Sequence, residues 1–286
     1  MPKQKRVKAA FMPPDLHIHT TYSEHATGTM EETVQSAVAK GLPEIGFADH
    51  FPYPPGFSVP APNCVIPDEV TFAVYADEVR RLRSAYADRI IIRFGAEIDH
   101  LDGMTADQTA MRAKHAFDYV IGSIHILQGV PIDYRAEALQ EQLGRFGGID
   151  RLWETYWNHL ENLIRAGGCQ VVGHMDVLRK FAGFGPRISQ AERARTLLRL
   201  IKEKDLTLEV NTGGIDRASD HEPYPSPEIL RLASEVGVDI ALGSDAHAPK
   251  DVGRYFPETV QRLRSLGWKE SATFQAGQKR LIPFSD

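Results

Sequence analysis

The chain has 286 residues, 42% of them hydrophobic, and a formal net charge of −5, which allows one large α/β domain or two small ones. No apolar run approaches the roughly 18 residues of a membrane helix, and the mild acidity without a long Lys/Arg block argues against membrane and nucleic-acid partners. Residues 1–14 are basic but lack the apolar centre of a signal peptide, so we interpret them as a short tail. The spacing of Cys64 and Cys169 fits neither a metal site nor a disulfide framework, which favours a reduced protein in the cytoplasm.

Seven short apolar runs occur along the chain, each followed by a helical pattern. They cover residues 15–19, 44–50, 90–99, 119–127, 170–176, 206–212 and 238–247. Continuous apolar runs of this length are typical of buried parallel strands. Repeated alternation of strand and helix predicts a single α/β domain, residues 15–286, built as a barrel of parallel strands.

Local signals place several helix starts and one long loop. Two predicted capping boxes pair Thr29 with Glu32 and Ser189 with Glu192, and Ser226 is a predicted N-cap. A proline-rich segment, residues 51–63, follows the second run directly. It is too short for a domain and has the right size for a lid over the barrel.

Each of the seven runs ends in a polar or ionisable side chain. These end residues are His17, His19, Asp49, His50, Glu97, Asp99, His125, His174, Asn211, Asp245 and His247. Alternate residues of a strand face the same way, so the imidazoles of His17 and His19 point at one spot. Parallel barrels open all strand carboxyl ends on one face, where this cluster would be costly to bury without a compensating cation. Imidazole with carboxylate predicts a site for zinc, iron or manganese. Four histidines outside the pattern are expected at the surface: His100, His115, His159 and His221.

Six motifs carry a resemblance to a known family. In chain order they are "HIHTTYSEH", "FADH", "GAEID", "GSIH", "GHMD" and "GSDAH". The order and spacing resemble the polymerase-and-histidinol-phosphatase (PHP) family, and within it the histidinol-phosphate phosphatases, over roughly residues 15–256. The resemblance implies a distorted (β/α)7 barrel that holds three divalent metal ions.

The resemblance also implies nine metal ligands. The first ion would take His17, His19, Glu97 and Asp245; the second His25, His50 and His247; the third Glu97, His125 and His174. Glu97 would then bridge two ions. Glu97, Asp245 and Asp49 are the predicted catalytic carboxylates. Asp49 is a candidate proton donor or a residue that orients a ligating histidine, and Asp176 or a metal-bound water are the other candidate donors.

The expected activity is hydrolysis of L-histidinol phosphate to L-histidinol and phosphate, a step of histidine biosynthesis. Hydroxide activated by the metal ions would attack phosphorus. Arg179, Lys180 and Arg217 are the candidate phosphate anchors. The chain departs from the family in "NTGGIDR", where Asp216 stands in place of a basic residue. Aromatic residues of the lid, Phe51, Tyr53 and Phe57, could cover the substrate.

Four other functions compete with this one. The chain could hydrolyse a nucleotide or another small phosphomonoester with the same metal site. An exonuclease is disfavoured by the acidic charge, and a deaminase or amide hydrolase by the lack of a lysine after a strand. A non-enzymatic metal-binding protein would be expected to have lost some ligands.

Overall fold

The fold is known from a computed structural model that describes residues 12–59 and 64–284. Its strands, in chain order, are β1 (Asp15–Ile18), β2 (Glu44–Phe47), β3 (Ile91–Asp99), β4 (Tyr119–Ser123), β5 (Ile126–Leu127), β6 (Val130–Pro131), β7 (Val171–Val172), β8 (Thr207–Asn211), β9 (Ile240–Gly243), β10 (Glu270–Gln275) and β11 (Gln278–Pro283). Seven of them form one parallel sheet in the order β1-β2-β3-β4-β7-β8-β9. All seven predicted runs are therefore strands of this sheet.

The sheet curves into a nearly closed barrel, because its two edge strands meet. Ile18 at the end of β1 pairs with Ala246, just beyond β9. The amide of His19 donates to the Ala246 carbonyl at 2.9 Å, and the Ala246 amide donates to the His17 carbonyl at 3.3 Å. The predicted single-domain barrel is confirmed, and the carboxyl ends of its strands converge on one face.

The opposite, amino-terminal end of the barrel is filled by one large side chain. The ring of Tyr119 is fully buried, and its hydroxyl donates to the Leu16 carbonyl at 2.5 Å. A Cβ on Gly95 would lie 2.5 Å from Cζ of Tyr119, so the neighbouring strand leaves room only for hydrogen at that position. Phe274 of the β10–β11 hairpin stacks on the same ring at 5.9 Å. This hairpin, which the sequence patterns did not indicate, closes the bottom of the barrel.

The helices surround the barrel. They are α1 (Met30–Ala39), α2 (Glu69–Ala85), α3 (Thr105–Arg112), α4 (Ala136–Phe146), α5 (Ile149–Ala166), α6 (Ala191–Glu203), α7 (Gly214–Arg217), α8 (Pro227–Val236) and α9 (Phe256–Ser265), with 3₁₀ turns at Thr21–Ser23, Val177–Lys180 and Pro249–Asp251. Within the described ranges, no helix combines the length and apolarity needed to cross a membrane.

Two of the three predicted helix starts are confirmed. Thr29 and Glu32 form both hydrogen bonds of the capping box, and Ser226 caps α8. The box at Ser189 is wrong, because α6 begins one residue later with Gln190 as N-cap. The Ser189 hydroxyl instead accepts from the Ala191 amide at 3.3 Å.

Two predicted segments lie partly outside the described residues. Of the tail, residues 1–11 fall outside, whereas Pro13 and Pro14 are buried against the domain. Of the lid, residues 60–63 fall outside. The division into tail, domain and lid stays a prediction.

Candidate active site

The carboxyl-terminal face of the barrel gathers all nine residues predicted as metal ligands. Each lies within, or a few residues beyond, a strand of the sheet. Eight of them line one cavity of about 200 Å³ and the ninth, His17, lies directly behind it. The eight are His19, His25, His50, Glu97, His125, His174, Asp245 and His247.

Glu97 stands at the centre of this cluster. On β3 it is 1% exposed, and both of its carboxylate oxygens face imidazole nitrogens. Oε2 lies 3.1 Å from Nδ1 of His50 and 3.3 Å from Nε2 of His17. Oε1 lies 2.8 Å from Nε2 of His174 and 3.5 Å from Nε2 of His125. A carboxylate approached from both sides in this way has the geometry of a bridging ligand.

The first two histidines of the cluster are oriented as ligands of a cation. Nδ1 of His17 donates to Oε1 of Glu209 at 2.5 Å, and Nδ1 of His19 donates to Oδ1 of Asp49 at 3.3 Å. A ring held through Nδ1 in this way has its lone pair on Nε2 once it is neutral. The two Nε2 atoms lie only 3.1 Å apart, and that of His19 is 3.1 Å from Oδ1 of Asp245. Lone pairs and carboxylate oxygens so close together fit a divalent cation between them.

The same arrangement recurs on the other side of Glu97. Nδ1 of His125 donates to Oδ1 of Asp99 at 3.0 Å, which leaves Nε2 as the ligating nitrogen of the neutral ring. That atom lies 3.1 Å from Nε2 of His174. A carboxylate behind a ligating histidine fixes the tautomer and the direction of the ring. The donor set therefore fits metal ions at more than one position.

Among residues 12–59 and 64–284, three groups have ligand atoms within 4.8 Å of one another. They are His17, His19 and Glu97; His50, Glu97 and His125; and His19, His25 and His247. The first agrees with the predicted division of ligands. The other two place His50 nearer to His125 and Glu97, and His25 and His247 nearer to His19. How the ligands divide among ions stays a prediction.

Electrostatics act in opposite directions on these groups. Burial lowers the pKa of His17 and His125, but Glu209 and Glu97 together hold that of His17 well above its usual value and Asp99 and Glu97 raise that of His125 to about 10, so a bound cation would displace protons from these two rings. Burial opposes ionisation of Glu97, but the neighbouring His125 and His17 hold the pKa of that carboxyl well below its usual range. Burial, reinforced by a charge on His19, lowers the pKa of His247 to about 2. Burial likewise holds the pKa of His50 well below its usual value. The carboxylate is thus ionised and both of these rings are neutral.

Comparison with known proteins agrees with this geometry. The model of the PHP domain matches residues 15–213. A probable histidinol-phosphatase of Deinococcus radiodurans is 32% identical over 263 residues, which cover 91% of this chain and 96% of that protein. The chain belongs to the PHP family.

Two further PHP relatives extend over nearly the whole chain. The histidinol-phosphatase of Bacillus subtilis is 27% identical and covers 87% of this chain and 98% of its own. The crystal structure of histidinol phosphate phosphatase from Lactococcus lactis, solved with zinc, L-histidinol and phosphate, has a TM-score of 0.79 at 22% identity. It covers 95% of this chain and 100% of that one, and supports the fold.

Of the three candidate phosphate anchors of this PHP domain, the structure brings two to the cavity. Arg217 and Lys180 line it, and Arg179 does not. Arg179 donates to Asp176 at 2.7 Å and to the Pro223 carbonyl at 2.5 Å. It also pairs with Asp220. A guanidinium with all three nitrogens committed to protein acceptors has little capacity left for a substrate.

Arg217 contacts two of the predicted ligands, Asp245 and His247. Its Nη1 donates to Oδ2 of Asp245 at 2.7 Å. The unexpected acidic residue beside it, Asp216, faces the other way. Asp216 accepts from Arg254 at 2.7 Å and from the Tyr255 hydroxyl at 2.6 Å, and does not line the cavity. The departure from the family motif therefore leaves a basic residue at the site.

Neither candidate proton donor reaches the cavity lining. Asp49 is fully buried and accepts from the amides of Thr20 at 3.1 Å and His50 at 2.9 Å, besides its contact with His19. Asp176 accepts from Arg179 and from the Ser226 amide at 2.9 Å. The surroundings of Asp49 match its alternative role of orienting His19.

The lid aromatics separate into different environments. Phe51 is buried, with its ring 4.8 Å from that of Phe72. Tyr53 lines the cavity, and its hydroxyl donates to Oδ2 of Asp99 at 3.4 Å. The ring of Phe57 lies 5.0 Å from that of Tyr53, outside the lining. Only Tyr53 of the three is placed to touch a ligand in the cavity.

None of the four remaining histidines lines the cavity, as expected. The surface assignment is wrong for His159, however. That side chain is on the buried face of α5, where Nδ1 donates to the Thr155 carbonyl at 2.9 Å and Nε2 pairs with Asp102.

Sequence reasoning missed one residue of the cluster. Glu209 on β8 is 1% exposed and holds His17 through Nδ1, as described above. Its other oxygen accepts from the His174 amide at 2.7 Å. The available signal was a carboxylate in the middle of the apolar run "LTLEVNT". It stands two residues before Asn211, and alternate strand residues share a face, so both side chains point to the same side of the strand.

Proposed function

We propose that this PHP protein is a metal-dependent phosphatase that hydrolyses L-histidinol phosphate to L-histidinol and phosphate. One observation carries the proposal. The imidazole nitrogens Nε2 of His17 and of His19 meet 3.1 Å apart beside Glu97, and His19 and Glu97 line a cavity of about 200 Å³. That arrangement fits a metal centre with an adjoining space for a small molecule.

The choice of substrate rests on the relatives and on the charges of the cavity. Relatives that cover nearly the whole chain are named histidinol-phosphatases. The cavity presents cations at Arg217 and Lys180 and carboxylates at Asp99 and Asp133. A substrate with a phosphate at one end and an ammonium nearby complements both signs of charge.

The nine predicted ligands would hold the ions, which we propose to be three in number and zinc, iron or manganese in identity. Such ions, when bound, would lower the pKa of water and neutralise charge on the phosphoryl oxygens. The protein itself contributes orientation. Glu209, Asp49 and Asp99 fix the rings of three histidines, and Glu97 faces ligands on both sides.

Arg217 is the proposed anchor for the phosphoryl group, because it lines the cavity and is held beside Asp245. Its charge would stabilise the equatorial oxygens as they gain charge in the transition state. Since Asp49 and Asp176 stand outside the lining, we propose that water in the cavity protonates the leaving alkoxide. A cytoplasmic location and the absence of nucleic-acid and membrane partners stay predictions from composition.

Phosphate release tests the proposal. Metal-free protein is supplied with manganese, zinc or iron and assayed on L-histidinol phosphate beside nucleotides, sugar phosphates and p-nitrophenyl phosphate. A kcat/KM for L-histidinol phosphate far above the others is expected. A preference for a nucleotide or sugar phosphate would retain the metal centre and refute the substrate. Equal activity with and without metal would refute both.

A further inference from the structure

The substrate of the proposed reaction carries a positive charge close to the bond that breaks. In L-histidinol phosphate the ester oxygen is joined through one CH₂ group to the carbon that bears the ammonium. A group that recognises the ammonium must therefore lie beside the metal cluster, within the same cavity. A carboxylate is the usual protein partner for an ammonium group.

In the described part of the chain, four carboxylates line the cavity, and three of them have oxygens that already contact several partners. Glu97 has five imidazoles within 3.7 Å of its oxygens. Asp245 accepts from Arg217 at 2.7 Å and from Asn211 at 3.1 Å, and contacts His19. Those two are also candidate metal ligands.

Asp99 is the third committed carboxylate. Its Oδ1 accepts from the amide of His125 at 2.8 Å and from Nδ1 of the same residue at 3.0 Å. Its Oδ2 accepts from the Tyr53 hydroxyl at 3.4 Å. An ammonium could approach Asp99 only by competing with these donors.

Asp133 is the carboxylate left over. Among the described residues, its side chain makes one polar contact, from Oδ2 to Nζ of Lys180 at 3.4 Å. The shorter hydrogen bond of that ammonium, 2.5 Å, goes to the backbone carbonyl of Asp133. Lys180 is thus held in place mainly by the backbone, and the carboxylate retains capacity for a second cation.

The position of Asp133 is fixed close to the cluster. Strands β5 and β6 form a short hairpin directly after His125, with Ile126 paired to Pro131. The amide of Ile132 then donates to the His125 carbonyl at 2.9 Å. Asp133 follows at once, so a rigid turn carries its carboxylate at the side of a candidate metal ligand.

We infer that Asp133 binds the ammonium of the substrate and so selects phosphomonoesters that carry an amine next to the ester. This inference rests on the proposed function and names the group that gives it specificity. Asp133 recognises the substrate, and the metal centre and Arg217 act on its phosphate. Removing the Asp133 charge should therefore affect amine-bearing substrates and spare others.

The test compares two substrates in matched variants. Asp133→Asn is assayed on L-histidinol phosphate and on 3-(imidazol-4-yl)propyl phosphate. The second compound is the same molecule without the amino group. We expect kcat/KM for L-histidinol phosphate to fall about 10- to 100-fold, mainly through KM, as for loss of one charge-assisted hydrogen bond. For the analogue without the amine, the change should stay within about threefold.

Two control variants complete the design. Asp216→Asn removes a carboxylate that also pairs with a cation but faces away from the cavity, and should leave both substrates unaffected. Lys180→Met tests whether Asp133 acts only by holding Lys180. In that case Asp133→Asn and Lys180→Met would weaken both substrates alike, which would overturn the inference. If Asp133→Asn unfolds at a lower temperature than the wild type, Asp133→Ser replaces it.

The outcomes separate this inference from the proposed function. A wild-type protein that prefers L-histidinol phosphate over the amine-free analogue, with that preference kept in Asp133→Asn, overturns the role of Asp133 alone. A wild-type protein that hydrolyses both substrates equally likewise overturns the role of Asp133 alone. One that hydrolyses neither overturns the proposed substrate and the inference with it. Loss of the preference in Asp133→Asn alone supports both.

Discussion

Replacing Glu209 by glutamine tests whether a carboxylate behind the metal ligands builds the centre. The structure gives this carboxylate two short contacts, from Nδ1 of His17 at 2.5 Å and from the amide of His174 at 2.7 Å. A glutamine of the same shape has one acceptor oxygen for these two donors. Its NH₂ group must then face either an imidazole N–H or a backbone N–H.

The expected effect follows from which donor loses its partner. If the amide of His174 keeps the oxygen, His17 can accept from the NH₂ group only by moving its proton to Nε2. That tautomer presents a proton instead of a lone pair to the metal. We expect metal affinity to fall about 10- to 100-fold, as for other carboxylates that support ligating histidines. The mispaired buried donor should also destabilise the metal-free protein by about 1–3 kcal/mol.

The assay measures metal binding directly, by competition with a chelating dye and by metal content after dialysis. Glu44→Gln is a matched control, because Glu44 is also a buried strand glutamate, accepting from Nε of Arg93 at 2.7 Å at the opposite end of the barrel. It should lower stability in urea and leave metal affinity unchanged. Wild-type metal affinity in Glu209→Gln, or an equal loss in both variants, would refute the reasoning.

Three further predictions concern the anchor, the barrel and the ions. Arg217→Met should raise KM about 10- to 100-fold for every phosphomonoester alike, whereas Arg179→Met should lower stability and leave KM unchanged. Steady-state kinetics measure KM and thermal melts measure stability. The reverse result would exchange the roles of the two arginines. Gly95→Ala should destabilise the protein by about 1–3 kcal/mol, because the added methyl group presses against Tyr119, and the activity per folded molecule should be retained. A free energy of unfolding in urea equal to that of the wild type would contradict the packing argument. Chelation should lower the melting temperature, since ions at about 1,000 times their dissociation constant contribute about 4 kcal/mol; an unchanged melt would argue against an ion bound in the native state.

The sequence predicts the barrel well because its strands are buried on both faces. Such strands appear as continuous apolar runs, and each ends in the polar residue that faces the open end of the barrel. The Thr29 capping box was equally accessible, since it depends on residues three apart. Ser189 and Glu192 have the same spacing, but they form no capping box because the N-cap of α6 is Gln190, one residue later. The β10–β11 hairpin was missed because its role is to cover Tyr119, a contact between distant parts of the chain.

Most histidines of the site are recognisable from the sequence because they stand at the same structural place, the end of a strand, whereas His25 follows the 3₁₀ turn beyond β1. The residues that direct them are harder to recognise. Glu209 lies inside a strand, and its partners His17 and His174 are 192 and 35 positions away along the chain. The carboxylate of Asp133 is distinguished by having fewer partners than its neighbours in the cavity, a property that exists only after folding. A sequence motif can therefore indicate the metal centre and its chemistry, whereas the selection of a substrate depends on which charged groups the fold leaves available.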